Sequence, residues 1–418
     1  MSTPPTPGTG PTGAGTTSAG ATDAGTTGAG TTGAGTMATA PADPGPSAGG
    51  AGARPAGPRP RGRGTFALRL RGMRLVTSLE LRQRLRSKRW YVALTMWTLV
   101  MLGIGGLGLA PTLYSAQWDS VGPIAAMVFS LQMILVLFAM LLVVPALSAG
   151  SINGDRTAGT LATLQASLLS PAEIVLGKLL AGFLTGLAFL VLALPSVVPI
   201  ALLGGVGLLY MLRLLLVIIV LTLCVTAVGL GLSALTSRQL GSVVLAYVIV
   251  FGVTVVLPIA WGSSAVVLNE EREVTSYYTV WDDESGSVPD RCEAETVRET
   301  VPRLDLSLPL LWGNPVVLLA EAAPPLPQDY WTTGDDADLL SMLKSGMRSA
   351  ATATHPSHAV YCDPSTPGYP TDLGTPPNRP VWPMGLGLWV LAGALSLVVA
   401  IRRLAVPIRR LGAGTRIA

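Results

Sequence analysis

The stretch Gly207–Leu235, GLLYMLRLLLVIIVLTLCVTAVGLGLSAL, decides the fold class. It holds one charged residue, Arg213. A helix of roughly 20 apolar residues crosses a bilayer core of about 30 Å, and this run is long enough to do so. It does not alternate apolar and polar side chains as a strand of a membrane barrel would. Outward from it, five further runs qualify: Trp90–Ala110, Pro123–Leu147, Ile174–Leu203, Leu240–Trp261 and Met384–Arg402. Lipid offers no partner to free backbone groups, so each run is expected to be a helix. The expected fold is therefore all-α and integral to the membrane. It has six transmembrane helices, an N-terminal interfacial helix and a long extracytoplasmic loop between spans five and six. Composition agrees: 50% of residues are apolar and 12% charged, where a soluble domain carries about a quarter charged.

Charge sets the expected orientation. Arg54 to Arg89 contains twelve Lys or Arg and one acid, Glu80. The last run ends on Arg402, and the residues after it include Arg403, Arg409, Arg410 and Arg416 and no acid. Asn269 to Pro380 holds eighteen acids against seven bases. Positively charged flanks stay on the cytoplasmic side, which places both termini inside the cell and 269–380 outside it, in the plasma membrane. A basic block abutting a span is a topology and lipid-headgroup signal, so no nucleic-acid partner is expected.

The chain divides accordingly. Residues 1–64 are rich in Gly, Ala, Thr and Pro and are expected to be a disordered cytoplasmic tail. Residues 65–89 form an amphipathic helix in which Phe66, Leu68, Leu75, Leu79 and Leu85 make an apolar stripe among arginines. Residues 90–268 hold spans one to five, with a cytoplasmic segment at 148–173. The loop 269–380, span six at 381–403 and a basic tail at 404–418 complete the chain. Ser170, Pro171 and Glu173 have the N-cap, first-turn and third-position spacing of a capping box, so span three opens there. Pro195 and Pro199 predict a kinked far end of that span. Gly182 and Gly186 allow close helix contact. Leu161, Leu164 and Leu168 share one face of a short amphipathic helix. Exposed leucines are costly, and a partner's groove is their expected cover.

Catalytic chemistry is absent from this reading. No span carries Asp or Glu in its apolar core, where ion-coupled transporters place relays. Gly177-Lys178 lacks the upstream glycine loop and the following Ser or Thr of a phosphate-binding loop. His355, His358 and Cys362 are loosely spaced like metal ligands, but they lie in a Pro-rich loop without a fourth partner, and no metal is expected. Arg213, near the outer end of span four, can snorkel to the headgroups or contact a substrate or an interface. Cys292 and Cys362 lie on the oxidising side and are expected to pair, while Cys224 lies within a span.

Specific residues carry a resemblance. Asp155-Arg156, Gly159-Thr160-Leu161, Ser170-Pro171-Ala172-Glu173-Ile174 and Gly177-Lys178 resemble the signature region of ABC exporter permeases of the type-2 membrane-domain family. Asp155 stands where that family more usually carries Glu. The basic LELRQRLRSKRWY, with Glu80, Arg82, Arg84 and Arg86, resembles the family's N-terminal elbow helix. Trp312-Gly313-Asn314-Pro315 resembles a short Asn-Pro motif seen before the last span in some members. The resemblance implies a permease subunit without its own nucleotide site or cofactor. It also implies a second permease subunit, identical or not, and separate ATP-binding subunits that hold ATP and Mg. It makes Asp155, Arg156, Gly159, Thr160, Leu161, Leu164, Leu168 and Glu173 the coupling element to the ATPase. The rival reading is a non-transporting multi-pass protein that displays 269–380 as a sensor or binding loop. A membrane-embedded enzyme is a distant third, because no catalytic set is present.

Overall fold

The computed structural model describes residues 65–116, 118–161, 169–280, 291–326, 338–351, 358–360, 362, 366–369 and 380–405. The expected tail 1–64, residues beyond 405, Leu164, Leu168 and His355 lie outside the described residues.

Helix α1 spans Leu70–Leu85, α2 Lys88–Tyr114, α3 Val121–Ser148 and α4 Ser151–Thr157. Then come α5 Pro171–Leu203, α6 Leu208–Leu235, α7 Gln239–Phe251 and α8 Leu257–Val267. A π-helical segment, Gly252–Val256, joins α7 to α8. Strands β1 Asn269–Val280 and β2 Arg291–Pro302 precede three helices, α9 Leu304–Ser307, α10 Pro315–Glu321 and α11 Leu339–Ala351. Strand β3 His358–Val360 and helix α12 Trp382–Leu404 follow. Six helical runs are long and apolar enough to cross a membrane: α2, Trp118–Thr157, α5, α6, Gln239–Val267 and α12. All six apolar runs of the sequence fall on them.

The core lies between α3, α5 and α6. Phe129, Met133, Leu137, Leu214, Ile218 and Leu221 are essentially inaccessible. Trp90 and Trp97 pack edge-on against Phe189, which fastens α2 to α5. A Cβ on Gly182 or Gly186 would stand 2.8 Å from Thr226 or Thr222 of α6, so those two small residues mark a close α5–α6 approach. Pro195 and Pro199 both lie inside α5, which continues to Leu203. Helices α1 and α4 gather at the end of the bundle where α5 begins. The strands stand at the other end, where α8 stops.

The all-α expectation is corrected by a three-stranded sheet of order β2-β1-β3. β1 and β2 are antiparallel, from Asn269↔Pro302 to Val280↔Arg291, and β3 joins β1 in parallel at Thr275↔His358. β1 follows α8 after Leu268 alone, and the Arg303 amide donates to the Leu268 carbonyl at 2.7 Å, closing the base of the hairpin. The segment 269–380 is also more than a loop within the bundle. Leu318, Leu319 and Ala320 of α10 and Leu340 of α11 belong to the main core. The two helices therefore plug the sheet end.

Candidate functional site

The densest polar constellation lies where α1, α4 and α5 meet. α5 opens with the expected capping box: Ser170 Oγ accepts from the Glu173 amide at 3.1 Å, and Glu173 Oε2 accepts from the Ser170 amide at 2.9 Å. Ser170 Oγ donates in turn to the Ala67 carbonyl, so the cap also binds the chain entering α1. α1 then runs beside α5 in the same direction. Gly72 lies against Glu173, Val76 against Gly177, Glu80 against Lys178, and Arg84 donates to Thr185 Oγ1 and, at 3.2 Å, to the Ala181 carbonyl. The partners advance together along both helices, which is parallel packing. Gly177 makes it possible. A Cβ there would come within 2.6 Å of Val76 and 3.1 Å of the Met73 carbonyl oxygen. Thr77 Oγ1 donates to the Gly177 carbonyl at 3.1 Å across the same contact.

Lys178 is the centre. Its side chain is 1% exposed. Nζ pairs with Glu80 of α1 and lies 2.7 Å from Asp155 Oδ2 of α4, an ion pair without the alignment of a hydrogen bond. One buried ammonium thus bridges two carboxylates from two other elements. Burial pulls the Arg84 guanidinium below its usual range, and the Glu80 charge opposes that fall.

α4 is bound equally firmly to the neighbouring spans. Ser233 Oγ of α6 accepts from the amides of Ile152 and Asn153 at 3.2 Å each. Asn153 Nδ2 donates to Thr236 Oγ1 at 3.0 Å, and Arg156 Nη1 donates to Asn153 Oδ1 at 3.1 Å and to the Thr236 carbonyl at 3.4 Å. α4 ends on Gly159, whose φ of +71° is the left-handed conformation that a helix stop favours and glycine adopts without strain. Thr157, Ala158, Gly159 and Thr160 are exposed.

The predicted coupling residues therefore separate into two groups. Gly159 and Thr160 lie on an exposed tip, while Asp155 and Arg156 are half-buried and face the bundle. Two expectations are corrected. Leu161 does not wait for a partner's groove: it is 7% exposed and packs in a core with Ile152, Ile174, Leu230 and Ile401. Its cover is the chain itself, because α4 folds back against α6. Glu173 is 1% exposed and caps α5, so it offers no surface to a partner. Of the α1 residues, Glu80 and Arg84 face α5, while Arg82 and Arg86 are exposed. Phe66, Leu68, Leu75, Leu79 and Leu85 all point outward, each more than half exposed. The face packed on α5 is the small one, Gly72, Val76 and Thr77.

Arg213 is far from this junction, exposed at the sheet end of α6. Cys292 and Cys362 form a disulfide with Cα atoms 6.0 Å apart, and Cys224 is free and buried. Sequence reading missed three polar anchors. Lys178 appeared only as half of a Gly-Lys pair, although a lysine seven residues beyond a helix-opening proline, next to the apolar run, was a signal. Asn314 was noted only through its motif. Asp338 comes from outside the spans yet sits 4% exposed between α3 and α6. Ser130 Oγ donates to it at 2.5 Å, the Tyr210 hydroxyl donates to the same oxygen, and the Ser341 amide donates to the other at 2.9 Å.

A comparison with curated proteins finds no match. The family model described as ABC-2 family transporter protein matches residues 75–311, from within α1 to the turn before α10. That is more than half of the 418 residues. The match takes in α4, the α5 cap, Lys178 and all but the last of the six apolar helices. The chain belongs to the ABC-2 transporter family: it is a multi-pass membrane protein and a permease subunit of an ABC transporter.

Proposed function

We propose that the chain is the membrane half of an exporter that works by alternating access, driven by a separate ATP-binding subunit. Both termini lie in the cytoplasm and the sheet lies outside. The charge asymmetry of the sequence and the disulfide at the sheet end support this orientation, since disulfides persist on the oxidising side. The exposed tip Thr157–Thr160 and the exposed arginines of α1 form the surface offered to the ATPase. The Lys178 junction carries its displacement into the spans.

The observation that carries the reading is this junction. α4 is tied at once to α1, to α5 and to the end of α6, so it cannot be pushed without moving them. A buried charge bridge transmits a displacement because breaking it leaves unpaired charge. A second permease subunit completes the complex. Only 6% of the most apolar stretch of Gln239–Val267 is buried within the chain, against 61% for α6, so a large apolar face awaits a neighbour or lipid. ATP and Mg belong to the partner ATPase, and no cofactor is assigned to this chain.

The test is co-purification. Thr157→Arg and Ala158→Asp change only exposed side chains. Each variant is expected to insert in the membrane normally and to lose the ATPase in pull-down, with loss of transport-linked ATP hydrolysis. Variants that keep both would show that the tip is not the docking element, and this reading would fail.

A further inference from the structure

At the sheet end a cavity of about 500 Å³ lies between α6, α10, α11 and α12. Its size is that of small-molecule sites, roughly 300–1,000 Å³. The wall is hydrocarbon, including Leu216 and Val220 of α6 and Leu386 of α12, and Trp382 stands beside it. Three charged side chains also line it: Arg213, Lys344 and Glu321.

The carboxylate is already engaged. Glu321 is 1% exposed at its side chain, both its oxygens accept from Arg348, at 3.0 and 2.7 Å, and Oε2 accepts from the Val381 amide at 3.3 Å. The two cations are not so engaged. Lys344 is 8% exposed and donates to the Ala323 carbonyl, and among the described residues it forms no ion pair. Burial first, then repulsion from Arg348, pulls its ammonium below the usual lysine range; Arg213 adds to the fall and Glu321 opposes it. Arg213 is exposed and likewise forms no ion pair among the described residues. A buried ammonium without a direct ion-pair partner is costly, and an anion beside it recovers that cost.

We propose that this cavity binds an anionic membrane lipid, its headgroup between Arg213 and Lys344 and an acyl chain along Leu216, Val220 and Leu386. A free anion would satisfy the two cations and leave the apolar wall uncovered. The wall also faces the right medium. Leu212 and Leu216, one turn apart beside the cavity, are 50% and 60% exposed on a helix apolar enough to span a membrane. The site stands on its own residues and does not depend on the coupling reading above.

Trp382 provides the assay. The full-length protein is placed in vesicles of brominated-chain phosphatidylglycerol or brominated-chain phosphatidylcholine of the same length. The quenched signal assigned to the cavity is the part that Trp382→Phe removes. Quenching by the phosphatidylglycerol lipid is expected at roughly fivefold lower mole fraction, the preference that one basic side chain at a membrane surface supplies. Arg213→Gln should reduce the preference, and Arg213→Lys should restore most of it. Glycerol 1-phosphate should not displace the lipid. Equal quenching by the two lipids, a preference unchanged in Arg213→Gln, or displacement by glycerol 1-phosphate at equal concentration would each overturn the proposal, the last by making it a free-anion site.

Discussion

Lys178 shows how one residue can hold three elements. Its ammonium is buried while Glu80 and Asp155 keep side-chain exposures of 19% and 24%, so the pairs are neither fully desolvated nor screened like surface pairs. Removing one partner of a buried pair costs about 3–5 kcal/mol, and the partial exposure of the acids puts Lys178→Met near 3 kcal/mol. The loss is expected as a lower unfolding midpoint of the purified protein. The triple variant Glu80→Gln, Asp155→Asn, Lys178→Met should recover most of it, because the cost comes from stranded carboxylates. A single variant as stable as the parent would show that the junction does not hold α1 and α4 in place. The Ser170 cap was legible in the sequence because it depends on local spacing alone. Lys178 was not, because its two partners lie 98 and 23 residues away and nothing local marks them.

Among the elements, the apolar helices were legible because a bilayer leaves the backbone no other choice. The hairpin was not. Most side chains of β2 are exposed, so its polar and apolar residues do not alternate between a wet and a dry face. α10 hid for the opposite reason: its apolar run PVVLLA is too short to mark a span, yet all of it but Val316 is buried. What anchors it is Asn314. Its Oδ1 accepts from the Val316 and Val317 amides at 2.8 and 3.2 Å, capping α10. Its Nδ2 donates to the carbonyls of Val253 and Thr254 at 3.2 and 3.1 Å. Those carbonyls lie in the π-helical segment, where the regular hydrogen-bond ladder is interrupted. One side chain thus caps a helix and repairs a defect in another. Asn314→Ala should speed hydrogen exchange both in residues 252–258 and at the start of α10, since each buried unpaired group costs about 1–3 kcal/mol. Asn314→Asp keeps the cap acceptor and loses the donor, so only residues 252–258 should speed up. Equal protection of residues 252–258 in all three proteins would mean that the π segment does not need Asn314.

At the scale of the whole molecule, the two ends differ in kind. One end carries α1, α4 and their charge junction; the other carries the sheet, the disulfide and the plug of α10 and α11. Burial is also uneven, since α6 is enclosed while the most apolar stretches of α2 and of Gln239–Val267 are only 17% and 6% buried. The helix count and the side on which each element emerges follow from the sequence. Which end faces the cytoplasm rests on twelve basic residues against one acid before the first span, and on the acidic excess of 269–380. This asymmetry predicts a labelling pattern. Tyr114 is 96% exposed at the sheet end of α2, and Thr157 is exposed on the α4 tip at the opposite end. In a Cys224→Ser background, Tyr114→Cys should react with a membrane-impermeant maleimide in intact cells. Thr157→Cys should react only after the cells are permeabilised. Both positions are exposed, so protection reports the bilayer and not burial, and neither residue belongs to the junction. The reverse pattern would turn the molecule over. It would put the α4 tip outside, where no cytoplasmic ATPase could reach it, and the coupling reading would fall with the orientation.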